Sequence, residues 1–180
     1  MNFRLWAVHR PVNWLVLSAI IVVLDQLTKT LITWEMQLFD EIPLLPILNL
    51  KLLYNEGAAF SFLADAGGWQ RWFFIVLGTA VSVFIMIWLR KLPKDQTWML
   101  PLSLALILGG ALGNVIDRVI HGHVIDFIDF YYGNWHFPAF NVADIAISIG
   151  AFFFILDTAL DIHESGSRPD QPAKPRRHKR

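Results

Sequence analysis

The chain alternates long apolar runs with short polar ones, and the apolar runs have the length of a membrane rather than of a soluble core. Trp72–Leu89 holds 18 residues without a charge, bracketed by Arg71 and Arg90. Gln96–Ile116 holds 21, closed by Asp117 and Arg118. A membrane span takes about 20 mostly apolar residues. Two further runs are as long but carry acids. Pro11 to about Trp34 is interrupted by Asp25 and Lys29, and Ile145–Leu160 is flanked by Asp144 and interrupted by Asp157. The pattern predicts an all-α membrane protein with four transmembrane helices, near 12–33, 72–90, 97–117 and 142–161. Four such runs in 180 residues leave too little polar surface to coat them as a soluble core.

Charge placement orients these spans. The segments before the first span, between the second and third, and after the fourth hold 11 of the 15 basic residues. By the positive-inside rule that side is cytoplasmic, with both termini. The segments near 34–71 and 118–141 then face outward. The net charge of zero is a cancellation, about +6 inside against −6 outside. The domain division this predicts is an integral membrane domain over 1–163 and a basic, disordered cytoplasmic tail over 164–180, close to anionic lipid. No small-x-small site follows the first apolar run, so that run reads as a retained span rather than a cleaved leader.

The outer segment 34–71 is long enough to fold. Leu50–Tyr54 and Ala58–Phe62 flank the turn signal Asn55-Glu56-Gly57, which predicts a hairpin or small sheet at the membrane surface.

Ionisable groups inside spans are costly, and their depth is informative. At about 1.5 Å per residue, Asp25 lies roughly 20 Å above Val12, and Asn114 and Asp117 roughly 24–29 Å above Trp98. Asn141 and Asp144 sit within about 5 Å of the outer end of the fourth span, sharing a face at i, i+3. Polar residues of three helices therefore converge near the outer surface. Asp126 and Asp129 add two acids in an apolar stretch between the third and fourth spans. Two carboxylates brought close share a proton, one serving as base toward water and the other as acid toward a carbonyl, which hydrolyses a peptide without metal or cofactor. Asn141 fits a helix N-cap as well as a substrate contact. Arg118 could pair with Asp117, orient an aspartate of the site or bind a substrate carbonyl, and the ion pair is the favoured expectation because a buried unpaired arginine is costly. The chain lacks cysteine, which excludes thiol chemistry, disulfides and thiolate metal sites. His121, His123 and His136 suit solvated loops better than a metal site, and Asp157 and Asp161 read as solvated at the inner end. Gly109-Gly110-Ala111-Leu112-Gly113 is expected to permit close helix packing.

Five ordered motifs carry a resemblance: Asp25-Gln26-Leu27-Thr28-Lys29; Tyr54-Asn55-Glu56-Gly57-Ala58-Ala59-Phe60; Gly109 to Arg118; Val124-Ile125-Asp126-Phe127; and Phe140-Asn141-Val142-Ala143-Asp144-Ile145-Ala146. Over roughly residues 12–160 the chain resembles the bacterial lipoprotein signal peptidases (signal peptidase II). The resemblance implies an aspartic endopeptidase of the bacterial inner membrane, working at its periplasmic face. Its substrate would be a prolipoprotein already carrying a diacylglyceryl group, cut before the lipidated cysteine. It implies Asp126 and Asp144 as the catalytic pair, Asn55, Asn114, Arg118 and Asn141 lining the site, and Asp25 as a supporting acid. It implies a four-helix bundle with a small extracytoplasmic β-cradle, contact with membrane lipid, and inhibition by globomycin. A monomer with no cofactor, no metal and no nucleic-acid partner is expected. The alternative is a small proton- or cation-coupled transporter using Asp25, Asp126 and Asp144 as ion ligands. Against it, no polar path continues inward from the cluster.

Overall fold

The computed structural model describes residues 11–57, 67–93 and 96–166. Four helices form, α1 (Pro11–Glu35), α2 (Trp69–Lys91), α3 (Met99–Ile120) and α4 (Val142–Gly166). All four are long and apolar enough to cross a membrane. Side chains such as Val76, Phe84, Phe152 and Ile155 stand exposed around the bundle, as lipid-facing residues do. The predicted hairpin's second arm, Ala58–Phe62, lies outside the described residues, as do the basic positions of the N-terminus and those from 168 onward. Helix α4 runs on to Gly166, past the expected start of the tail.

Helix α3 is the hub, packing against α1, α2 and α4 in turn. Its glycines make this possible. A Cβ on Gly110 would collide with the Ala143 carbonyl and Ile147 of α4, and one on Gly109 with Ile21 and the Ser18 carbonyl of α1. Ser18 Oγ donates to the Ala105 carbonyl at 2.9 Å, which that close approach allows. Toward the C-terminal end of α2, Leu89 and Ile85 pack with Leu104 and Leu108 of α3. Asp157 is not solvated as expected there: it is 5% exposed and accepts a hydrogen bond from Thr97 Oγ1 at 3.1 Å.

At one end of the bundle lies an antiparallel sheet in the order β1 (Glu41–Leu45), β2 (Leu48–Asn55), β3 (Val124–Tyr132) and β4 (Trp135–His136). The sheet therefore draws on both outer segments, not on 34–71 alone. Leu50–Tyr54 pairs with β1 on one side and β3 on the other, with Leu53 opposite Asp126 and Asn55 opposite Val124. The run Val-Ile-Asp-Phe-Ile-Asp-Phe-Tyr-Tyr in β3 is β-branched and aromatic, as a strand half-buried against a bundle requires.

Arg71 ties α2 to α3. Its Nε donates to the Arg118 carbonyl at 2.8 Å and its Nη2 to the Val119 carbonyl at 3.0 Å. These are carbonyls of the last turn of α3, which have no partner within the helix.

Candidate active site

The C-terminal halves of α1 and α3, the start of α4 and the first residues of β3 meet under the sheet. The polar residues expected to converge there do so. Asn141 is fully buried, and its side chain links the Asp126 carboxylate to the Asp144 backbone. Its Nδ2 donates to Asp126 Oδ1 at 2.7 Å, and its Oδ1 accepts the Asp144 backbone N–H at 2.9 Å. The second contact is an N-cap, as the capping reading of Asn141 has it. Asn114 Nδ2 donates to Asp144 Oδ1 at 2.8 Å. Asn55, at the end of β2, donates from Nδ2 to Asp126 Oδ2 at 3.1 Å. Its Oδ1 accepts the Gly57 N–H at 3.0 Å, closing the turn the sequence predicted.

Both carboxylates are thus held by amide donors. Asp126 is 2% exposed. Burial, and after it the negative charge of Asp144, push its carboxyl up to about 7. An acid so placed keeps or gives up a proton near neutral pH, the range in which proton transfer is efficient.

Arg118 does not pair with Asp117. Its Nη2 donates to the Gly57 carbonyl at 2.6 Å, and its guanidinium lies 4.9 Å from the centre of the Phe74 ring. Asp117 is instead held by Lys29, whose Nζ lies 2.7 Å from its Oδ2. Lys29 also contacts Asp25 Oδ2 at 2.8 Å. In the sequence Lys29 is a break in an apolar run and the last position of the Asp25–Lys29 motif, with no partner indicated. The available signal was its i, i+4 spacing from Asp25, which puts unlike charges on one helix face.

Asp129 is separate from this cluster. It accepts from Asn49 Nδ2 at 3.3 Å and lies 2.9 Å from His136 Nδ1. Asp129→Asn is accordingly expected to retain most of the wild-type activity, measured as turnover by folded protein. Loss as complete as that at Asp126 would reopen the choice of acid. Of the other two histidines, His121 is exposed, as a solvated loop residue is, whereas His123 is partly buried: it stacks on Tyr54 with ring centroids 4.0 Å apart, and burial lowers its pKa, helped by His121. With His136 committed to Asp129, the three histidines do not gather.

The chain matches the family described as Signal peptidase (SPase) II over residues 17–160. It is 54% identical over 145 residues to the lipoprotein signal peptidase of Acinetobacter baumannii (strain SDF), covering 81% of this chain and 82% of that one. To the lipoprotein signal peptidase of Cupriavidus taiwanensis it is 53% identical over 147 residues, covering 82% of each. A solved bacterial membrane enzyme superposes with a TM-score of 0.75 at 30% identity, covering 89% of this chain and 94% of that one. The transporter alternative finds no support in these matches.

Proposed function

Because the chain belongs to the signal peptidase II family, whose members remove signal peptides from prolipoproteins, we propose that Asp126 and Asp144 perform this hydrolysis as an aspartic pair. One observation carries the reading: a single buried side chain, Asn141, hydrogen-bonds the Asp126 carboxylate and the Asp144 backbone at once.

At rest Asp126 holds the shared proton, in keeping with its raised carboxyl. Asp144 is the base. The Asn114 amide and the Asn141 backbone N–H point at it. Asp144 takes a proton from water as its oxygen attacks the scissile carbonyl, and Asp126 gives its proton to the carbonyl oxygen. The tetrahedral diol then collapses. Its C–N bond breaks, the proton held on Asp144 passes to the departing nitrogen, and one hydroxyl returns its proton to Asp126. Arg118 and Asn55 line the approach, and Asp25 supports the pair from behind.

The membrane placement belongs to the same reading. Both termini are cytoplasmic, and the pair lies at the periplasmic face of the inner membrane. The diacylglyceryl chains of the substrate stay in lipid between helices while the peptide reaches the aspartates. Globomycin competes for this site, and the enzyme acts as a monomer without metal or cofactor.

Purified protein offered one prolipoprotein before and after diacylglyceryl transfer tests the substrate class. A gel shift is expected for the modified form alone. Equal cleavage of both would remove the lipid from the recognition.

A further inference from the structure

Behind the two aspartates lies a layer of buried charge. Lys29 is 1% exposed, and Asp25 and Asp117 are as deeply buried. An ammonium group has three N–H donors. Those of Lys29 have three partners: Asp25 Oδ2 at 2.8 Å, Asp117 Oδ2 at 2.7 Å and Asn114 Oδ1 at 3.1 Å.

Each partner reaches on toward the site. Asp25 Oδ1 accepts the backbone N–H of Ala143 at 2.9 Å. Asp117 Oδ2 accepts the backbone N–H of Ile125 at 3.1 Å. Ala143 immediately precedes Asp144, and Ile125 immediately precedes Asp126. Asn114, with its oxygen taken by Lys29, turns its Nδ2 to Asp144 Oδ1 at 2.8 Å. Gln26 closes the layer, its Nε2 donating to Asp117 Oδ1 at 2.8 Å.

We propose that Lys29 and Asp117 are positioning residues for the reaction: through Asp25 and Asp117 the one ammonium group grips the backbone next to each reacting aspartate, and through Asn114 it aims an amide at Asp144. The inference rests on the reading of Asp126 and Asp144 as the reacting pair. The logic is geometric. Asp126 arrives on a strand and Asp144 on a helix, from separate elements with no shared backbone. Something must fix the spacing between them, and a bidentate cation with two carboxylate arms does so without touching substrate. A buried lysine is costly unless fully paired, and here every donor is spent on such a contact. A hydrophobic residue could fill the volume but could hold neither arm.

The test uses the full-length enzyme in detergent with diacylglyceryl-modified prolipoprotein, reading kcat and KM separately and thermal unfolding in parallel. Asp117→Asn is near-isosteric and leaves Lys29 balanced by Asp25. It is expected to lower kcat about 10- to 100-fold with KM within about threefold, as loss of alignment without loss of binding does. Lys29→Met is expected to fall at least as far. The double variant Lys29→Met/Asp117→Asn removes one unlike pair together. It should melt above Lys29→Met alone yet recover no kcat. Should Lys29→Met not fold, Asp117→Asn decides. If folded Asp117→Asn keeps kcat within about twofold of wild type while Asp126→Asn is inactive, the positioning role is wrong and the aspartic pair stands. If Asp126→Asn itself cleaves, the pair falls and this inference with it.

Discussion

Asp126→Asn and Asp144→Asn are each expected to abolish detectable cleavage of a diacylglyceryl-modified prolipoprotein while leaving the protein folded. The size of the effect follows from how the two groups share their work. General acid or base assistance contributes about 10²- to 10⁴-fold for one proton transfer. Here each carboxyl handles a proton in both halves of the reaction, and residues that act as a unit lose most of their joint contribution when either is removed. An asparagine at 144 cannot take a proton from water, and one at 126 cannot give one to the carbonyl oxygen. Fold retention follows from the contacts. Asn141 keeps its cap on the Asp144 N–H, which is backbone, and Asn114 can still donate to the amide oxygen of the variant. A gel-shift assay on monodisperse protein reads the first expectation, and its melting curve reads the second. Residual turnover in either variant at a tenth of wild type, or roughly so, would remove that residue from the chemistry.

The parts of this site legible in the sequence were those that depth along a helix can report. Asp25, Asn114, Asp117 and Asp144 are each tied to a span, so counting residues from its end puts them at one level, and hydrogen bonds between them join three helices there. Asp126 was legible as an acid in an apolar stretch, but its strand was not. The partner of β3 is β2, some 71 residues away at the Asn55–Asp126 contact, and local pattern carries no information about pairing at that distance. Lys29 was missed for a related reason. Its second counter-ion, Asp117, comes from another helix, and only packing through the glycines of α3 brings them together. The same packing overturned the Arg118–Asp117 pair, which the cost of an unpaired buried arginine favoured. Neighbours one residue apart on a helix do not face each other, and Asp117 turned to α1 while Arg118 turned to the Asn55–Gly57 turn. Lys29 is spent on two acids, Asp25 and Asp117, whereas Arg71 and Arg118 go to backbone carbonyls.

The inactive variant Asp126→Asn is also expected to be the more heat-stable protein above neutral pH, and the less stable one in acid. Burial first, and the charge of Asp144 second, raise the Asp126 carboxyl from 3.8 to about 7. Between those values the unfolded chain has released this proton and the folded protein still holds it. Folding then takes up a proton, so the contribution of this group is fully present below about pH 4 and is lost as pH rises through about 7. The gap is worth about 4 kcal/mol at 1.36 kcal/mol per pH unit. An asparagine stays neutral at every pH and escapes that loss. Its cost is a missing acceptor: Asn55 and Asn141 both donate to Asp126, and one amide oxygen replaces two carboxylate oxygens. A donor left so placed costs about 1–3 kcal/mol. The difference in melting temperature between variant and wild type should therefore change sign between pH 4 and pH 8 in detergent. A constant difference across that range would mean that Asp126 is ionised throughout. On the proposed mechanism the same ionisation governs turnover: above about pH 7 Asp126 has lost the proton it would deliver, so kcat should fall on the alkaline side, where this group's contribution to stability is also lost. Burial first, and the charge of Asp144 second, bring that proton near neutral pH, and the folded state bears the cost.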